Sequence, residues 1–362
     1  MRQVNGVRPE AEAETEPIAD IRALFDMYQI GVAWHCVCAI SRLRVPDRLV
    51  GGARPMPLLA AEVGADEDAL RRVLRLLSSH GIVAFDPVAD EVSLTGRGRL
   101  LCASHPMSLQ ATFATLGISD VAHALTETLV TGHAAAPHVL GTGFWEYLAS
   151  QPDKQTAFGE AMVEQAQLLS LPCLPLLDWP AGGVVVDVAG GIGVLTAGVL
   201  VEEPELAVVL VDQPHVLTLA VPYLESQGVI DRCTLHPGDL FVPPPPGDLY
   251  LLARVLHDWD DASAVRILRA VANGAPPGAR LRLFEDLLPE HGVPSPQQNW
   301  SDVAMMVLYE GAKERTLTEY QRLLERGGWL FERVVTGPPG MSVIEASRGR
   351  TPAGPDTGEV EP

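Results

Sequence analysis

The sequence of 362 residues predicts an α/β protein whose mostly parallel sheet carries helices on both faces and follows a smaller helical domain. After about residue 170, short apolar strands alternate with helical segments, which is the order of βαβ units. Before about residue 110, the apolar residues recur at helical spacing. Residues 83–101 interrupt that spacing, because they alternate around a turn as a β-hairpin does.

The helical domain has the outline of a winged helix. Residues 18–43 form a long amphipathic stretch, and residues 55–83 indicate two short helices, the second capped by Asp66. The apolar residues of that second helix recur at helical spacing: Leu70, Val73, Leu74 and Leu77. Two helices followed by a hairpin are typical of DNA-binding regulators, and also of structural or dimerisation modules. The formal net charge of −20 repels phosphate backbones, so we expect no nucleic-acid partner.

The expected domain boundaries follow these changes of pattern. The winged-helix-like domain takes residues 18–110, linker helices take residues 111–170, and the sheet domain takes residues 171–349. Residues 1–17 are acidic and residues 350–362 are rich in Pro and Gly, so we expect both to be disordered tails.

The cysteines and the apolar segments predict a cytoplasmic protein with no membrane partner. The five cysteines are scattered and include no C-x-x-C pair: Cys36, Cys38, Cys102, Cys173 and Cys233. We expect them to be reduced thiols. The N-terminus has no apolar core and is not a secretion signal. Residues 182–201 approach membrane-spanning length, but Asp187 and a glycine cluster divide them into strand, loop and helix.

A glycine-rich loop follows the first strand of the sheet domain, in "VVVDVAGGIG" at 184–193. Gly190, Gly191 and Gly193 let the backbone approach a ligand. The dinucleotide fingerprint would need a further glycine where Thr196 stands. Asp187 before the turn is instead typical of methyltransferase loops that hold the amino-acid end of S-adenosylmethionine. A glycine-rich turn without a ligand is the alternative.

Acidic residues also end the next two strands. Asp212 ends "VVLVDQP", at the spacing where an acid accepts hydrogen bonds from ribose hydroxyls. Asp239 in "HPGDLF" is placed to accept the amino group of an adenine. Together with Asp187 these residues form a series, because three successive strands each supply an acid at the edge where ligands bind.

The segment "VLHDWDD" at 255–261 follows the fourth strand and places His257 and Asp258 at the same edge. Asp260 or Asp261 caps the following helix, which leaves Asp258 as a partner for the acceptor hydroxyl or the histidine. Trp259 can pack against adenine or the sulfonium. A surface ion pair is the alternative. A metal site of His257 with Asp258 is disfavoured, because consecutive strand residues point to opposite faces.

At this point the sequence resembles a known family. The segments "VLHDWDD", "PPGARLRLFEDLLP" and "GAKERTLTEYQRLLERGGW" look like those of the plant-type S-adenosylmethionine-dependent O-methyltransferases. The segments "DEDALRRVLRLLSSHGIV" and "LTGRGRLL" match that family's winged-helix dimerisation domain, and "FGEAM" matches its linker helices. The resemblance runs from about residue 20 to 348. It implies a Rossmann-like class I methyltransferase domain, an N-terminal dimerisation domain and a homodimer.

The resemblance also implies roles for individual residues. His257 would be the general base, with Glu285 and Glu314 flanking and orienting it and Asp258 beside it. The candidate cofactor-binding residues are Asp187, Gly190, Gly191, Gly193, Asp212, Gln213, Asp239, Leu240, Arg254 and Trp259. The candidate substrate-binding residues are Phe158, Met162, Met305 and Tyr309. The departures from the family pattern are Ala189 for a glycine, Arg254 for a lysine, Ala312 for a glycine, and the wall from Met305 to Tyr309.

These observations predict an S-adenosylmethionine-dependent O-methyltransferase of bacterial secondary metabolism that acts on a small aromatic acceptor and needs no metal. A phenolic or enolic hydroxyl is favoured, because a histidine of pKa about 6.5 matches a phenol of pKa about 10 far better than an aliphatic alcohol of about 16. One alternative is a relative that binds the cofactor but catalyses hydroxylation, decarboxylation or a pericyclic step. Another is a ligand-sensing winged-helix regulator.

Overall fold

The computed structural model describes residues 15–115, 117–338 and 340–349, with side chains from residue 18 onward. Most of the predicted tail 1–17 and all of the tail 350–362 lie outside these residues. The chain divides into two compact units, with the boundary after Ala114. The predicted linker 111–170 is therefore split by this boundary, and most of it belongs to the second unit.

The first unit consists of one long helix, several shorter helices and one small antiparallel sheet. Its elements are α1 (Thr15–Arg42), α2 (Val45–Arg48), β1 (Arg54–Pro55), α3 (Met56–Val63), α4 (Glu67–Ser79), β2 (Val83–Asp86), β3 (Glu91–Leu94), α5 (Gly96–Arg99) and α6 (Gln110–Ala114). The strands lie in the order β1-β3-β2. Asp66 caps α4 as predicted, since its carboxylate accepts the Ala69 N–H at 2.9 Å. The two helices and the hairpin predicted from the sequence are present.

Helix α1 is not amphipathic, so that prediction was wrong. Every described residue from Ile18 to Val32 is exposed, and the apolar side chains point around the whole helix instead of along one face. Leu24 and Tyr28 are 68% and 72% exposed. Among the described residues, Ile18–Arg42 is one helix long and apolar enough to cross a membrane, judged by length and composition alone.

The second unit is an α/β domain. Its helices are α7 (Ile118–Val121), α8 (Leu125–Thr131), α9 (Ala135–Leu140), α10 (Phe144–Ser150), α11 (Pro152–Leu168), α12 (Val194–Glu202), α13 (Pro214–Ser226), α14 (Asp261–Gly274), α15 (Pro296–Leu308) and α16 (Leu317–Gly327). Its strands are β4 (Gly183–Val188), β5 (Leu206–Asp212), β6 (Cys233–Pro237), β7 (Leu249–Ala253), β8 (Arg280–Glu285), β9 (Leu287–Leu288), β10 (Arg315–Thr316), β11 (Leu330–Thr336) and β12 (Ser342–Ser347). Short 3₁₀ helices span Ala122–Ala124, Leu171–Leu176, Ile230–Arg232 and Leu256–Asp258.

Seven strands form the main sheet in the order β11-β12-β8-β7-β4-β5-β6. Strands β4 to β8 are parallel to one another, whereas β12 pairs antiparallel with both β8 and β11. The sheet is therefore mostly parallel, as predicted. The apolar segment 182–201 is also divided as predicted, into β4, a glycine loop and α12.

Apolar clusters cover both faces of this sheet. Along β7, Leu249 and Leu251 join the cluster under α12 and α13, while Tyr250 and Leu252 join the cluster under α14 and α16. This alternation follows from the period of two residues in a strand. All four side chains are fully buried, which explains why β7 reads as a continuous apolar run.

The sheet brings the carboxyl ends of its parallel strands to one edge. Ligands of such sheets bind beyond this edge. The loops that leave β4, β5, β7 and β8 meet there. A second, two-stranded parallel sheet pairs β9 with β10, with Arg315 opposite Leu287, and so brings the segment around Glu314 to the end of β8.

Candidate active site

The glycine loop after β4 is shaped by contacts beneath it and open space above it. A Cβ on Gly190 would lie 2.5 Å from the carboxyl carbon of Asp187, so no larger residue fits there. Gly191 and Gly193 have φ of 61° and 85°, and nothing lies within 4 Å of a Cβ built on Gly191. Ala189 also adopts positive φ, 55°, a conformation that costs a non-glycine residue about 1–2 kcal/mol. The space beside the Gly191 Cα is therefore open to a ligand.

Asp187 lies fully buried under this loop. One of its oxygens accepts the Thr196 hydroxyl at 2.7 Å, and its Oδ1 has no hydrogen-bond partner among the described residues. Burial raises the pKa of Asp187 to about 6. Thr196, which stands where the dinucleotide fingerprint needs a glycine, thus anchors the acid below the loop. Sequence reasoning did not assign Thr196 this role.

Asp212 joins the end of β5 to the glycine loop. Its carboxylate accepts the N–H of Gly191 at 2.8 Å and the N–H of Gln213 at 2.7 Å. Burial raises the pKa of Asp212. The three residues predicted to bind cofactor on neighbouring strand ends are therefore brought into direct contact.

The residues after β6 and β7 form an aromatic wall at the same edge. Asp239 is exposed, and its carboxylate accepts the Phe241 N–H at 2.7 Å. The Trp259 ring meets the Phe241 ring edge-on, with the centroids 5.1 Å apart. Leu240, Phe241 and Trp259 pack against the apolar cluster under α14. Phe241 was not predicted, although it directly follows Leu240.

Arg254 leaves β7 with a positive φ of 54°, which turns the chain sharply toward the following helix. Its N–H donates to the Phe284 carbonyl oxygen at 2.8 Å. The positive charge of Arg254 lowers the pKa of the buried acids Asp258 and Glu285 in part, against the larger effect of burial, which raises both.

His257 lies in the 3₁₀ turn Leu256–Asp258 and not on the strand, which ends at Ala253. The sequence argument that His257 and Asp258 point to opposite faces was therefore wrong. In this tighter turn, His257 Nε2 lies 3.4 Å from Asp258 Oδ1. The imidazole is buried, so the interpretation as a surface ion pair does not hold.

Glu314 fixes the orientation of the imidazole. His257 Nδ1 lies 3.0 Å from Glu314 Oε1, and the Ser301 hydroxyl donates to the same oxygen at 2.6 Å. Burial raises the pKa of Glu314, but hydrogen bonds from His257 and Ser301 outweigh it and the net pKa is lowered. An ionised Glu314 is acceptor-only, so Nδ1 carries a proton and Nε2 is the basic nitrogen of the neutral ring.

Glu285 acts mainly on the backbone of the turn. Its Oε1 accepts the Leu256 N–H at 3.0 Å, whereas its Oε2 lies 4.0 Å from His257 Nδ1. Burial raises the pKa of Glu285. The family resemblance implied two glutamates flanking the histidine, and the structure brings both to it at unequal distances.

The cluster as a whole stabilises the protonated imidazole. Burial lowers the pKa of His257, but Asp258, Glu285 and Glu314 outweigh it and raise the pKa to about 9.

Asp260 caps α14 by accepting the Ser263 N–H at 2.9 Å, as predicted, and so takes no part in this cluster.

His257, Glu285 and Glu314 offer ligand atoms within 4.8 Å of one another, a spacing that a metal ion could use. This trio differs from the pair of His257 and Asp258 considered from the sequence. His257 Nδ1 already shares a hydrogen bond with Glu314 Oε1, and Glu285 Oε1 already accepts the Leu256 N–H. The prediction that no metal is needed therefore remains a prediction.

The predicted substrate-binding residues lie beside an aromatic cluster. The rings of Tyr309 and Trp145 stack with centroids 5.1 Å apart and planes 16° apart, and Phe158 packs edge-on against Trp145 and Phe144. Met305 is buried in the apolar cluster that contains Phe144 and Tyr309. Among the described residues, Met162 is half-buried and lies outside that cluster. Phe144 and Trp145 were missed, although "GFWEYL" displays both rings.

The strand order and the set of loops at the carboxyl edge define a class I methyltransferase fold. A family model for the O-methyltransferase domain matches residues 122–330. The phenazine O-methyltransferase PhzM of Lysobacter antibioticus is 33% identical over 84% of this chain and 90% of its own. The chain therefore belongs to the O-methyltransferase family and is an S-adenosylmethionine-dependent methyltransferase, as the sequence resemblance predicted.

Solved structures agree with this family. The mitomycin 7-O-methyltransferase MmcR is 30% identical, with a TM-score of 0.86 over 93% of this chain and 100% of its own. NcsB1, an O-methyltransferase from neocarzinostatin biosynthesis, was solved with S-adenosylmethionine and 2-hydroxy-5-methyl naphthoic acid. It is 29% identical, with a TM-score of 0.75 over 87% of this chain and 95% of its own. The curated relatives include both O- and N-methyltransferases.

Proposed function

We propose that the protein methylates a phenolic or enolic hydroxyl of a small aromatic natural product, with His257 as the general base. One observation carries this proposal. A buried imidazole, held through Nδ1 by Glu314, leaves Nε2 as its basic nitrogen at the sheet edge where the glycine loop and Asp212 also meet. Relatives that act on phenazine and mitomycin compounds support the class of acceptor.

The residues at the edge fit S-adenosylmethionine as the cofactor. Gly191 faces open space, and Asp187 keeps a buried oxygen without a hydrogen-bond partner among the described residues. The glycine loop would hold the amino-acid end, Asp212 would accept the ribose hydroxyls, and Asp239 would accept the adenine amino group. When bound, the cofactor supplies an electrophilic methyl group on a sulfonium.

The aromatic cluster supports a flat acceptor. Aromatic side chains bind aromatic ligands through stacked and edge-on contacts, and Tyr309, Trp145 and Phe158 already contact one another in both ways. Tyr309 and Phe158 are the residues that the family resemblance places against the acceptor.

The chain's part in the reaction is to align the acceptor and remove its proton. His257 Nε2 would accept the hydroxyl proton, and the ionised Glu314 stabilises the imidazolium that results. With a His257 pKa of about 9, the gap to a phenol of pKa about 10 is only about one pKa unit. For an ordinary histidine of pKa about 6.5, the gap would cost about 5 kcal/mol.

The pH dependence tests the charge cluster. The imidazole must be neutral to accept a proton, so kcat/KM should rise with pH and level off near the raised His257 pKa of about 9. Glu314→Gln removes a negative charge, so it should move this limb to lower pH while lowering the plateau. Steady-state rates from pH 6 to pH 10 provide the measurement. A wild-type limb at or below the ordinary histidine pKa of about 6.5 contradicts the proposed cluster.

A methyl-transfer assay tests the function itself. Labelled S-adenosylmethionine with a panel of hydroxynaphthoates and hydroxyphenazines should give a product that carries one added methyl group, and the donor should be consumed in equal amount. Treatment with EDTA should leave the rate unchanged, since no step needs a metal. A product without the added methyl supports the alternative in which a relative catalyses a non-methylating step. Tight, salt-sensitive binding to duplex DNA supports the regulator.

We also propose that the protein is a homodimer that buries helix α1. Exposed large apolar patches on soluble proteins mark interaction surfaces, and α1 exposes apolar side chains around its circumference, including Leu24, Phe25 and Tyr28. Light scattering at micromolar concentration should give twice the mass of one chain. A double variant that places negative charges on this surface, Leu24→Glu with Tyr28→Glu, should be a monomer.

A control for the dimer is Val88→Glu, which places a negative charge on an exposed apolar residue in the hairpin turn. It should leave the dimer intact. A wild-type monomer that sediments with lipid vesicles overturns the dimer proposal, and it assigns α1 to a membrane surface instead.

A further inference from the structure

Three consecutive residues close around the turn that carries His257. The Lys313 N–H donates to the His257 carbonyl oxygen at 3.1 Å, and Glu314 accepts from the imidazole. Arg315 then contacts the backbone on both sides of the histidine. One short segment therefore holds His257 by its carbonyl, its ring and its neighbours.

Arg315 is fully buried and makes three directed hydrogen bonds. Its Nη1 donates to the Leu256 carbonyl oxygen at 2.8 Å, and its Nη2 donates to the Trp259 carbonyl oxygen at 2.6 Å. Its Nε donates to Asp261 Oδ1 at 2.9 Å. A buried guanidinium is tolerated when its donors are satisfied, and its planar fork fixes the acceptors relative to one another.

The bonded carbonyls come from the residue before His257 and from the second residue after it. Because the guanidinium is rigid, it sets the separation of Leu256 and Trp259, and so the pitch of the 3₁₀ turn between them. Trp259, a candidate cofactor-binding residue, also belongs to the aromatic wall at the sheet edge. Arg315 therefore ties the position of the base to the position of the cofactor wall.

We propose that Arg315 is a positioning residue for methyl transfer, acting through His257 and Trp259 and not by touching the reactants. This inference rests on the proposed role of His257. A lysine keeps the charge at this position, but its single ammonium does not reproduce a fork that spans two carbonyls and a carboxylate.

The test compares Arg315→Lys with Arg282→Lys. Arg282 is the matched control, because it is also buried and its guanidinium bridges Glu345 and the Asp178 carbonyl oxygen, away from the catalytic turn. Arg315→Lys should lower kcat about 100-fold, the scale of a 1 Å misplacement. The KM for S-adenosylmethionine should rise less than about tenfold, because Trp259 moves with the turn while the glycine loop and Asp212 are untouched. Both variants should lower the melting temperature of the protein to a similar degree, but Arg282→Lys should keep kcat within about threefold of wild type.

A spectroscopic readout separates positioning from loss of stability. In protein labelled at the histidine ring carbons, the His257 signal is assigned by its absence in His257→Ala. In Arg315→Lys its titration should move to lower pH, because the ring loses its alignment with Glu314; in Arg282→Lys it should stay. An unchanged kcat and titration in Arg315→Lys overturns the inference, as does an equal loss of kcat in Arg282→Lys. If His257→Ala keeps full kcat, the proposed function fails first.

Discussion

Replacing His257 by alanine should lower kcat by about 10²–10⁴-fold, because that is what a positioned general base contributes. The substitution leaves the glycine loop and Asp212 untouched, so the affinity for S-adenosylmethionine should stay within about threefold of wild type. Single-turnover methyl transfer and isothermal titration calorimetry measure the two quantities separately. A full kcat in His257→Ala removes the base assignment.

His291→Ala is the control for this experiment. His291 is exposed between β9 and α15 and belongs to none of the contacts described at the site. Its replacement should leave both kcat and cofactor affinity unchanged. Because burying Glu285 and Glu314 without their cationic partner is costly, His257→Gln is a second variant that retains a hydrogen-bond donor toward Glu314. It should be stable and as inactive as His257→Ala.

Asp212→Ala should weaken binding of S-adenosylmethionine by about 10–100-fold. A hydrogen bond to a charged group contributes about 1.5–3 kcal/mol, and about 1.4 kcal/mol is a tenfold change in Kd. The variant also removes the carboxylate that orders the Gly191 N–H, which adds to the loss. At saturating cofactor, kcat should recover substantially, in contrast to His257→Ala.

Asp231→Ala is the matched control for Asp212→Ala. Asp231 is an exposed acid in the 3₁₀ turn before β6, at the opposite edge of the sheet. Its loss should not change the Kd. Equal Kd values for the Asp212 variant and wild type mean that the ribose does not meet this strand end.

The sheet domain and its ligand edge were predictable because they depend on local patterns. An apolar strand followed by glycines at Gly190 and Gly191 indicates the loop, and an acid at the end of the next strand indicates Asp212. His257 was located by the same counting. In each case the residue follows an apolar strand closely in sequence, and the carboxyl ends of parallel strands lie at one edge of the sheet.

The contacts that hold the site depend on tertiary structure and left no local signal. Ser301 lies on a helix and Arg315 on a two-residue strand, and each reaches residues more than ten positions away. Thr196 could have been found, because a hydroxyl on the first turn of α12 faces the end of β4. The 3₁₀ turn at Leu256–Asp258 was missed, since an apolar run predicts the strand but not the residue at which it ends.

Helix α1 was misjudged for a related reason. A strongly apolar helix was predicted to be amphipathic, which means that its apolar side chains share one face. The described residues before Ala33 instead expose apolar side chains in all directions. The spacing of apolar residues in one sequence does not predict which partner covers such a surface.

A crystal structure with S-adenosylhomocysteine and a phenolic acceptor tests the role of His257 most directly. The acceptor oxygen should lie within about 3.2 Å of His257 Nε2, in line with the sulfur, while Nδ1 stays bonded to Glu314. An acceptor oxygen held by another side chain, with Nε2 directed away from the sulfur, contradicts the assignment of His257 as the base.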